Sequence, residues 1–131
     1  MFKQLLESEK GMTLVEIMVV IAIMGIVMAI VGVNVIRRFE KAKVDTTKAQ
    51  IKVLEQALDQ YYLENGEYPP SQTGLQKLVD DEYMKKIPKD GWKRDFHYAS
   101  PGSEGNPYEI VSSGKDKQEG TGDDIKSWEL E

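Results

Sequence analysis

The sequence predicts an α+β chain in which one long N-terminal helix is packed by a short helix and a small C-terminal antiparallel sheet. Three observations predict it. An apolar run near the start passes into a heptad-spaced amphipathic pattern without a break; Asn65-Gly66 and Pro69-Pro70 then stop that pattern; and beyond Lys89 two short aromatic and β-branched stretches flank a glycine- and proline-rich loop.

The apolar run from Ile17 to Val33 is 17 residues long and reaches 20 at Ile36, with Asn34 as its only strongly polar member. That length suffices for a helix to span a bilayer core of about 30 Å. A secretory signal would end at a small-x-small cleavage pattern, but Arg37 and Arg38 follow instead. A buried core helix would need other apolar segments to cover it on all sides, and the rest of the chain has none. Lysine and arginine counting alone favours the N-terminus outside, because Arg37, Arg38, Lys41 and Lys43 follow the run and only Lys3 and Lys10 precede it. Glu16, near the start of the run, stands out: a carboxylate at membrane depth costs roughly 2.5–3.5 kcal/mol on insertion scales. It needs a partner.

Beyond Ile36 the helical pattern becomes amphipathic, with Val44, Ile51 and Leu58 every seven residues and Leu54 and Tyr61 on the same stripe. One helix is therefore expected from about Thr13 to Glu64, closed by the Asn65-Gly66 C-cap. Ser71 is expected to cap a short helix whose Leu75, Leu78 and Val79 pack back on the long one. Phe96-His97-Tyr98 and Tyr108-Glu109-Ile110-Val111 are expected as strands around the Pro101–Pro107 loop.

Composition narrows the function. With 22 acidic against 17 basic side chains the net charge is -5, and no basic patch is visible in the sequence, which argues against nucleic acid as partner. The absence of cysteine excludes disulfides, thiolate metal sites and cysteine nucleophiles, so a domain outside the cytoplasm would need another staple. No enzyme site emerges. His97, the single histidine, lies between aromatics in an expected strand and reads as a packing residue, and Ser112 or Ser113 lacks any nucleophile-elbow setting. Trp92 and Trp128 read as core or loop anchors.

Ser112 to Asp124 places Asp116, Asp123 and Asp124 in a glycine-broken loop. Calcium takes six to eight oxygens at about 2.3–2.6 Å from carboxylates and free carbonyls, and such a loop can curl to offer both. It is not an EF-hand, since the twelfth position counted from Asp116 is Ser127. Composition alone reads it as a solvated acidic loop.

Lys10-Gly11-Met12-Thr13-Leu14-Val15-Glu16-Ile17 resembles the processing site of the type IV pilin and type II secretion pseudopilin superfamily. There the leader ends in glycine and a glutamate stands fifth in the mature chain; here Glu16 is fifth from Met12, which replaces the usual phenylalanine. The likeness continues in order through Asn65-Gly66-Glu67-Tyr68-Pro69, Gln72-Thr73-Gly74-Leu75-Gln76-Lys77-Leu78, Pro88-Lys89-Asp90-Gly91-Trp92, Ser113-Gly114-Lys115-Asp116 and Gly122-Asp123-Asp124-Ile125, and is closest to the major pseudopilins. Two positions depart. Gly32-Val33-Asn34 stands where the family commonly carries a proline, and Lys93 follows Trp92 where glycine is usual.

The resemblance implies a type IV pilin-like fold with a leader over 1–11, a transmembrane and filament-core helix over 12–36 and a periplasmic domain over 37–131. It implies cleavage between Gly11 and Met12 and methylation of the new amine by a prepilin peptidase. The cytoplasmic site of cleavage puts the N-terminus inside, against the charge count. Glu16 then pairs with the amine of Met12 on a neighbouring subunit, or alternatively with its own amine or the headgroups. Ala22, Gly25, Ala29 and Gly32 form a small-residue stripe that would let helices approach closely in a filament, although small residues are common in membrane helices generally. For the acidic loop the resemblance implies calcium, held by Asp116, Asp123 and Asp124 side chains and the carbonyls of Ser113, Gln118 and Thr121. The implied function is the major subunit of a helical periplasmic pseudopilus that helps drive folded proteins across the outer membrane. Its partners would be further copies of itself, minor pseudopilins, an inner-membrane assembly platform and, before assembly, inner-membrane lipid. Two alternatives stand beside it: a type IV pilin, which commonly carries a C-terminal disulfide that this chain lacks, and a non-polymerising membrane-anchored calcium module, which would not need the processing site.

Overall fold

The computed structural model describes residues 11–130. The expected leader up to Lys10, with Lys3, lies outside them. The chain divides into two compact units, one ending at Arg38 and one beginning at Phe39.

Helix α1 spans Leu14–Asn65, one residue later at each end than the sequence suggested, and it runs unbroken through Gly32-Val33-Asn34. Glycine and asparagine are weak helix formers, but unlike proline both keep the N–H that the helix ladder needs. In the first unit the apolar side chains stand in the open, with Leu14 75% and Met28 74% exposed, and the helix is long and apolar enough to cross a membrane. Such a surface is stable only against lipid or against other apolar surfaces.

In the second unit the helix turns one stripe inward. Ile51, Leu54 and Leu58 are fully buried, Ala57 and Tyr61 nearly so, and Val44 packs at the edge of this core. At Asn65 the helix stops because Gly66 takes φ +78°, a left-handed conformation open to glycine, and its N–H closes on the Tyr62 carbonyl at 2.7 Å.

The short helix α2 covers Gln76–Asp80, and Leu75 at its N-cap and Leu78 within it reach the core as the pattern predicted, whereas Val79 stays outside the core cluster, half-buried. Ser71 does not cap it. Residues 71–75 form turns in which the Pro70 carbonyl accepts the N–H groups of Thr73 and Gly74. The Ser71 hydroxyl is used elsewhere: it accepts the Ser100 N–H at 2.8 Å and donates to the Ser100 carbonyl at 3.1 Å.

Strands β1 (His97–Ala99), β2 (Glu109–Ser112) and β3 (Ile125–Lys126) form an antiparallel sheet in that order, and short 3-10 turns cover Ser103–Gly105 and Ser127–Glu129. Tyr98 faces Ile110 in the first pair and Ser112 faces Ile125 in the second. Two strands thus lie one residue later than expected. Phe96 is buried just ahead of β1 rather than within it, and Ser112 joins β2 because it alternates inward with Ile110. The third strand was not expected, since two residues are too few to show a period; the acidic loop brings them back to β2.

Beside the sheet, Tyr68 stacks on Tyr62 at 4.8 Å and leans on Tyr108 at 4.7 Å. The Tyr98 hydroxyl donates to the Pro69 carbonyl at 2.7 Å, and burial pushes its pKa up to about 12 and raises that of Tyr108 as well. Both hydroxyls stay protonated, and that of Tyr98 fixes the Pro69 turn to the sheet.

His97 is not a packing residue. Its ring is about half exposed and stands between two carboxylates, with Nε2 3.9 Å from Glu109 and Nδ1 4.0 Å from Glu119. Strand alternation explains this: Phe96 and Tyr98 turn toward the core and the residue between them turns out. Glu109 is held in turn by Ser103, whose hydroxyl and N–H both donate to its Oε2. Those bonds, the hydroxyl first, lower the Glu109 pKa below its ordinary value of 4.5. A carboxylate depressed in the folded state contributes stability above the unfolded value and loses it as pH falls through the folded one. Urea midpoints followed from neutral pH down to about pH 3.5 should therefore fall less steeply for Glu109→Gln than for the parent. Parallel curves would remove Glu109 from the acid response.

Candidate functional site

The chemistry sits in two places, one in each unit. At the start of α1, Glu16 makes a reciprocal pair with Thr13. The Thr13 hydroxyl accepts the Glu16 N–H at 3.2 Å, and the Glu16 carboxylate accepts the Thr13 N–H at 3.4 Å. This is a capping box, which satisfies two of the N–H groups that a helix start leaves open. It answers within one chain the question of what Glu16 bonds, and the Thr-x-x-Glu spacing that signals it is visible in the sequence. Gly11 and Met12 lie exposed just before it. Of the small-residue stripe, Gly25 and Gly32 have nothing within 4 Å of where a Cβ would stand, so a second helix can approach there.

In the second unit the acidic loop folds onto itself. Asp116, Asp123 and Asp124 each bring a carboxylate oxygen to within 4.8 Å of the others. Each also accepts a backbone N–H: Asp123 from Asp116 at 2.9 Å, Asp116 from Gln118 at 2.9 Å and Asp124 from Gly120 at 2.7 Å. The Thr121 hydroxyl beside Asp123, and then the Asp116 N–H, hold the Asp123 carboxyl below its usual pKa. Three carboxylates so close together are the arrangement a hard cation relieves. The Gln118 carbonyl accepts one bond, from the Thr121 hydroxyl, and the Thr121 carbonyl one, from the Asp124 N–H, so each keeps a free lone pair. The donor set fits calcium. Gly114 fixes one side of the loop: at φ +72° it lies so close to the Asp123 backbone that any Cβ would collide with it.

Beneath this loop lies a buried polar network that the sequence reading did not single out. Asp90, 4% exposed, accepts the N–H groups of Trp92 and Arg94 on one oxygen, both at 2.9 Å, and the Ser112 hydroxyl at 2.6 Å on the other. Ser112 also accepts the Gly114 N–H at 3.3 Å, so the network reaches the acidic loop. On the helix side, fully buried Thr47 donates to the Lys43 carbonyl at 2.7 Å and accepts the Gly91 N–H at 2.8 Å. Thr47 occupies the heptad stripe three residues after Val44, and a lone hydroxyl on an apolar stripe is the signal that could have found it. Removing one member of such a network leaves buried donors unpaired. Asp90→Ala should therefore destabilise the domain by about 3 kcal/mol, and Asp90→Asn by less, since one acceptor oxygen survives. Urea unfolding checks both; a loss under about 1 kcal/mol for Asp90→Ala would show that the network contributes no more than an ordinary surface bond.

Comparison with known proteins agrees with this architecture. Residues 34–128 match the family described as type II secretion system (T2SS), protein G, and residues 8–32 match the prokaryotic N-terminal methylation motif. The type II secretion system core protein G of Klebsiella michiganensis is 40% identical over 137 residues, covering 95% of this chain and 96% of the relative. Its counterpart from Pseudomonas aeruginosa is 40% identical over 138 residues, covering 93% and 96%. A crystal structure of the major pseudopilin from the type 2 secretion system of enterohaemorrhagic Escherichia coli superposes with a TM-score of 0.64 at 30% identity, over 72% of this chain and 94% of the other. An exposed apolar helix begun by a capping box, a cysteine-free domain closed by an acidic loop, and these matches along nearly the whole length place the chain in the protein G family of the type II secretion system, the major pseudopilins.

Proposed function

We propose that the chain is cleaved between Gly11 and Met12 by a prepilin peptidase, methylated at the new amine, and held in the inner membrane with its N-terminus cytoplasmic and its domain periplasmic. It then leaves the bilayer to join a helical pseudopilus of identical subunits that helps drive folded proteins across the outer membrane. Minor pseudopilins and an inner-membrane platform are the implied assembly partners. The observation that carries this reading is the apolar first unit, exposed all round yet interrupted at its start by a carboxylate. In lipid, and then in a filament core, every such side chain finds apolar neighbours. A subunit added by a repeated screw makes a heterologous contact that does not close, which is what a filament requires. The matching methylation motif supports the processing step.

Glu16 pairs with the Met12 amine of the neighbouring subunit, so two charges that are each unfavourable in lipid are neutralised together. The acidic loop holds calcium through Asp116, Asp123 and Asp124, with carbonyls of Ser113, Gln118 and Thr121 as further ligands. The ion staples the loop to the sheet through Gly114 and Ser112 and takes the place of the disulfide that a cysteine-free chain cannot form.

Intact-mass and N-terminal analysis of the protein extracted from membranes tests the processing step. The chain should begin at N-methylated Met12. Retention of residues before Met12 in assembled material would overturn it.

A further inference from the structure

We propose that the groove beside Trp92 is a self-association surface that receives carboxylates from a second copy of this chain. The inference rests on the assignment to the major pseudopilins, because in a polymer of one chain each copy must supply both halves of every contact.

Lys43 from α1, Lys93 from the turn after Trp92, and Lys115 and Lys117 from the acidic-loop segment all line this groove, with Glu40 as its one acidic member. In the sequence these cations are scattered, and only the fold gathers them. Four positive groups against one negative stand out in a chain whose net charge is -5, so the remaining surface is more acidic still. Lys43 has a partner in Glu40 at 3.7 Å. Among the described residues, Lys93, Lys115 and Lys117 make no ion pair. Trp92 walls the groove, with its Nε1 buried and without a hydrogen-bond partner among the described residues, and the second oxygen of Glu40 is likewise buried and unpaired. A carboxylate entering the groove would neutralise the lysines around it with charge-assisted bonds.

The same chain carries suitable carboxylates. Asp80 at the end of α2 and Asp81 and Glu82 just after it are exposed; Asp80 accepts from the Gln76 side chain at 3.2 Å and Asp81 pairs with Lys77 at 3.3 Å, whereas Glu82 projects from a backbone at φ +65° with no hydrogen bond or ion pair to its side chain among the described residues. Complementary patches of opposite sign on one subunit guide like copies into a fixed register.

The test uses the full-length protein assembled in membranes, prepared as a mixture of isotopically light and heavy chains. A zero-length carbodiimide cross-linker joins lysine amines to carboxylates, and mass spectrometry of mixed-isotope pairs reads only links between copies. Links from Lys93, Lys115 or Lys117 to Asp80, Asp81 or Glu82 should appear in filaments. Lys93→Glu with Lys115→Glu and Lys117→Glu should lower filament yield at least ten-fold, and Asp80→Lys with Asp81→Lys and Glu82→Lys on a co-expressed chain should restore it. The domain's melting temperature, measured alongside, separates loss of contact from loss of fold. Parent-like assembly of the triple lysine variant while the parent forms filaments would overturn the groove and leave the family assignment standing. Links confined to single copies would overturn it, as would lysine-dependent binding to phosphatidylglycerol vesicles without links between copies, which would make the groove a lipid contact. Absence of filaments from the parent itself would strike at the polymer reading instead.

Discussion

Removing calcium should lower the melting temperature of the fragment from Lys41 to Glu131 by roughly 10–20 °C. The size follows from linkage. An ion bound only by the folded state at a hundred times its dissociation constant adds about 2.7 kcal/mol, and for a domain of this size each kcal/mol moves the midpoint by about 4–8 °C. The structural ground is the convergence of Asp116, Asp123 and Asp124 to within 4.8 Å, with the charges held by backbone N–H groups rather than by lysines. Asp123→Ala should not respond to calcium and should melt somewhat below the chelated parent, because it removes a proposed ligand and also the acceptor that ties residue 116 across the loop. Thermal melting with calcium and with chelator measures both. Superimposable curves for the parent would leave Ser112 to Asp124 as a solvated acidic loop.

Glu16→Ala should still insert and be cleaved, yet assemble at least ten-fold less well. A factor of ten corresponds to about 1.4 kcal/mol, well inside the several kcal/mol at stake when one member of a desolvated charge pair is removed. The capping box supplies the control that separates two explanations. Glutamine at the third helical position serves a capping box as glutamate does, so Glu16→Gln keeps the bond to the Thr13 N–H and loses only the charge. Thr13→Ala does the reverse, removing the hydroxyl that accepts the Glu16 N–H while leaving the carboxylate, at a cost to the helix start of about 1 kcal/mol. If the intersubunit pair carries assembly, Glu16→Gln falls with Glu16→Ala and Thr13→Ala falls far less. Filament counts showing normal assembly of Glu16→Gln would place the role of Glu16 in the cap.

Most of the architecture was legible in the residues. The stripe of Val44, Ile51, Leu54, Leu58 and Tyr61 is the buried face of α1, and Asn65-Gly66 ends the helix one residue beyond the expected position. Periodicity reports burial directly when an element is long. It failed where elements are short: β1 and β2 each begin one residue late, and His97, between the inward-facing Phe96 and Tyr98, alternates outward toward Glu109 and Glu119 instead of into packing. Ser71 failed as a cap because a serine hydroxyl satisfies whichever donor comes nearest, and the end of β1 comes nearest.

By itself the sequence determined the long apolar-to-amphipathic helix, its stop signals, the processing motif around Gly11 and Met12, and the grouping of Asp116, Asp123 and Asp124 in one loop. All of these are local in the chain, so spacing and residue type suffice to state them. Only the tertiary structure decided that Asp90 would be buried against Ser112, that Thr47 would hold Gly91, and that Lys43, Lys93, Lys115 and Lys117 would share one groove. Those partners lie 22 and 44 residues apart in the two hydrogen bonds. The pairing of groups so distant follows from packing around the core and leaves no periodic trace.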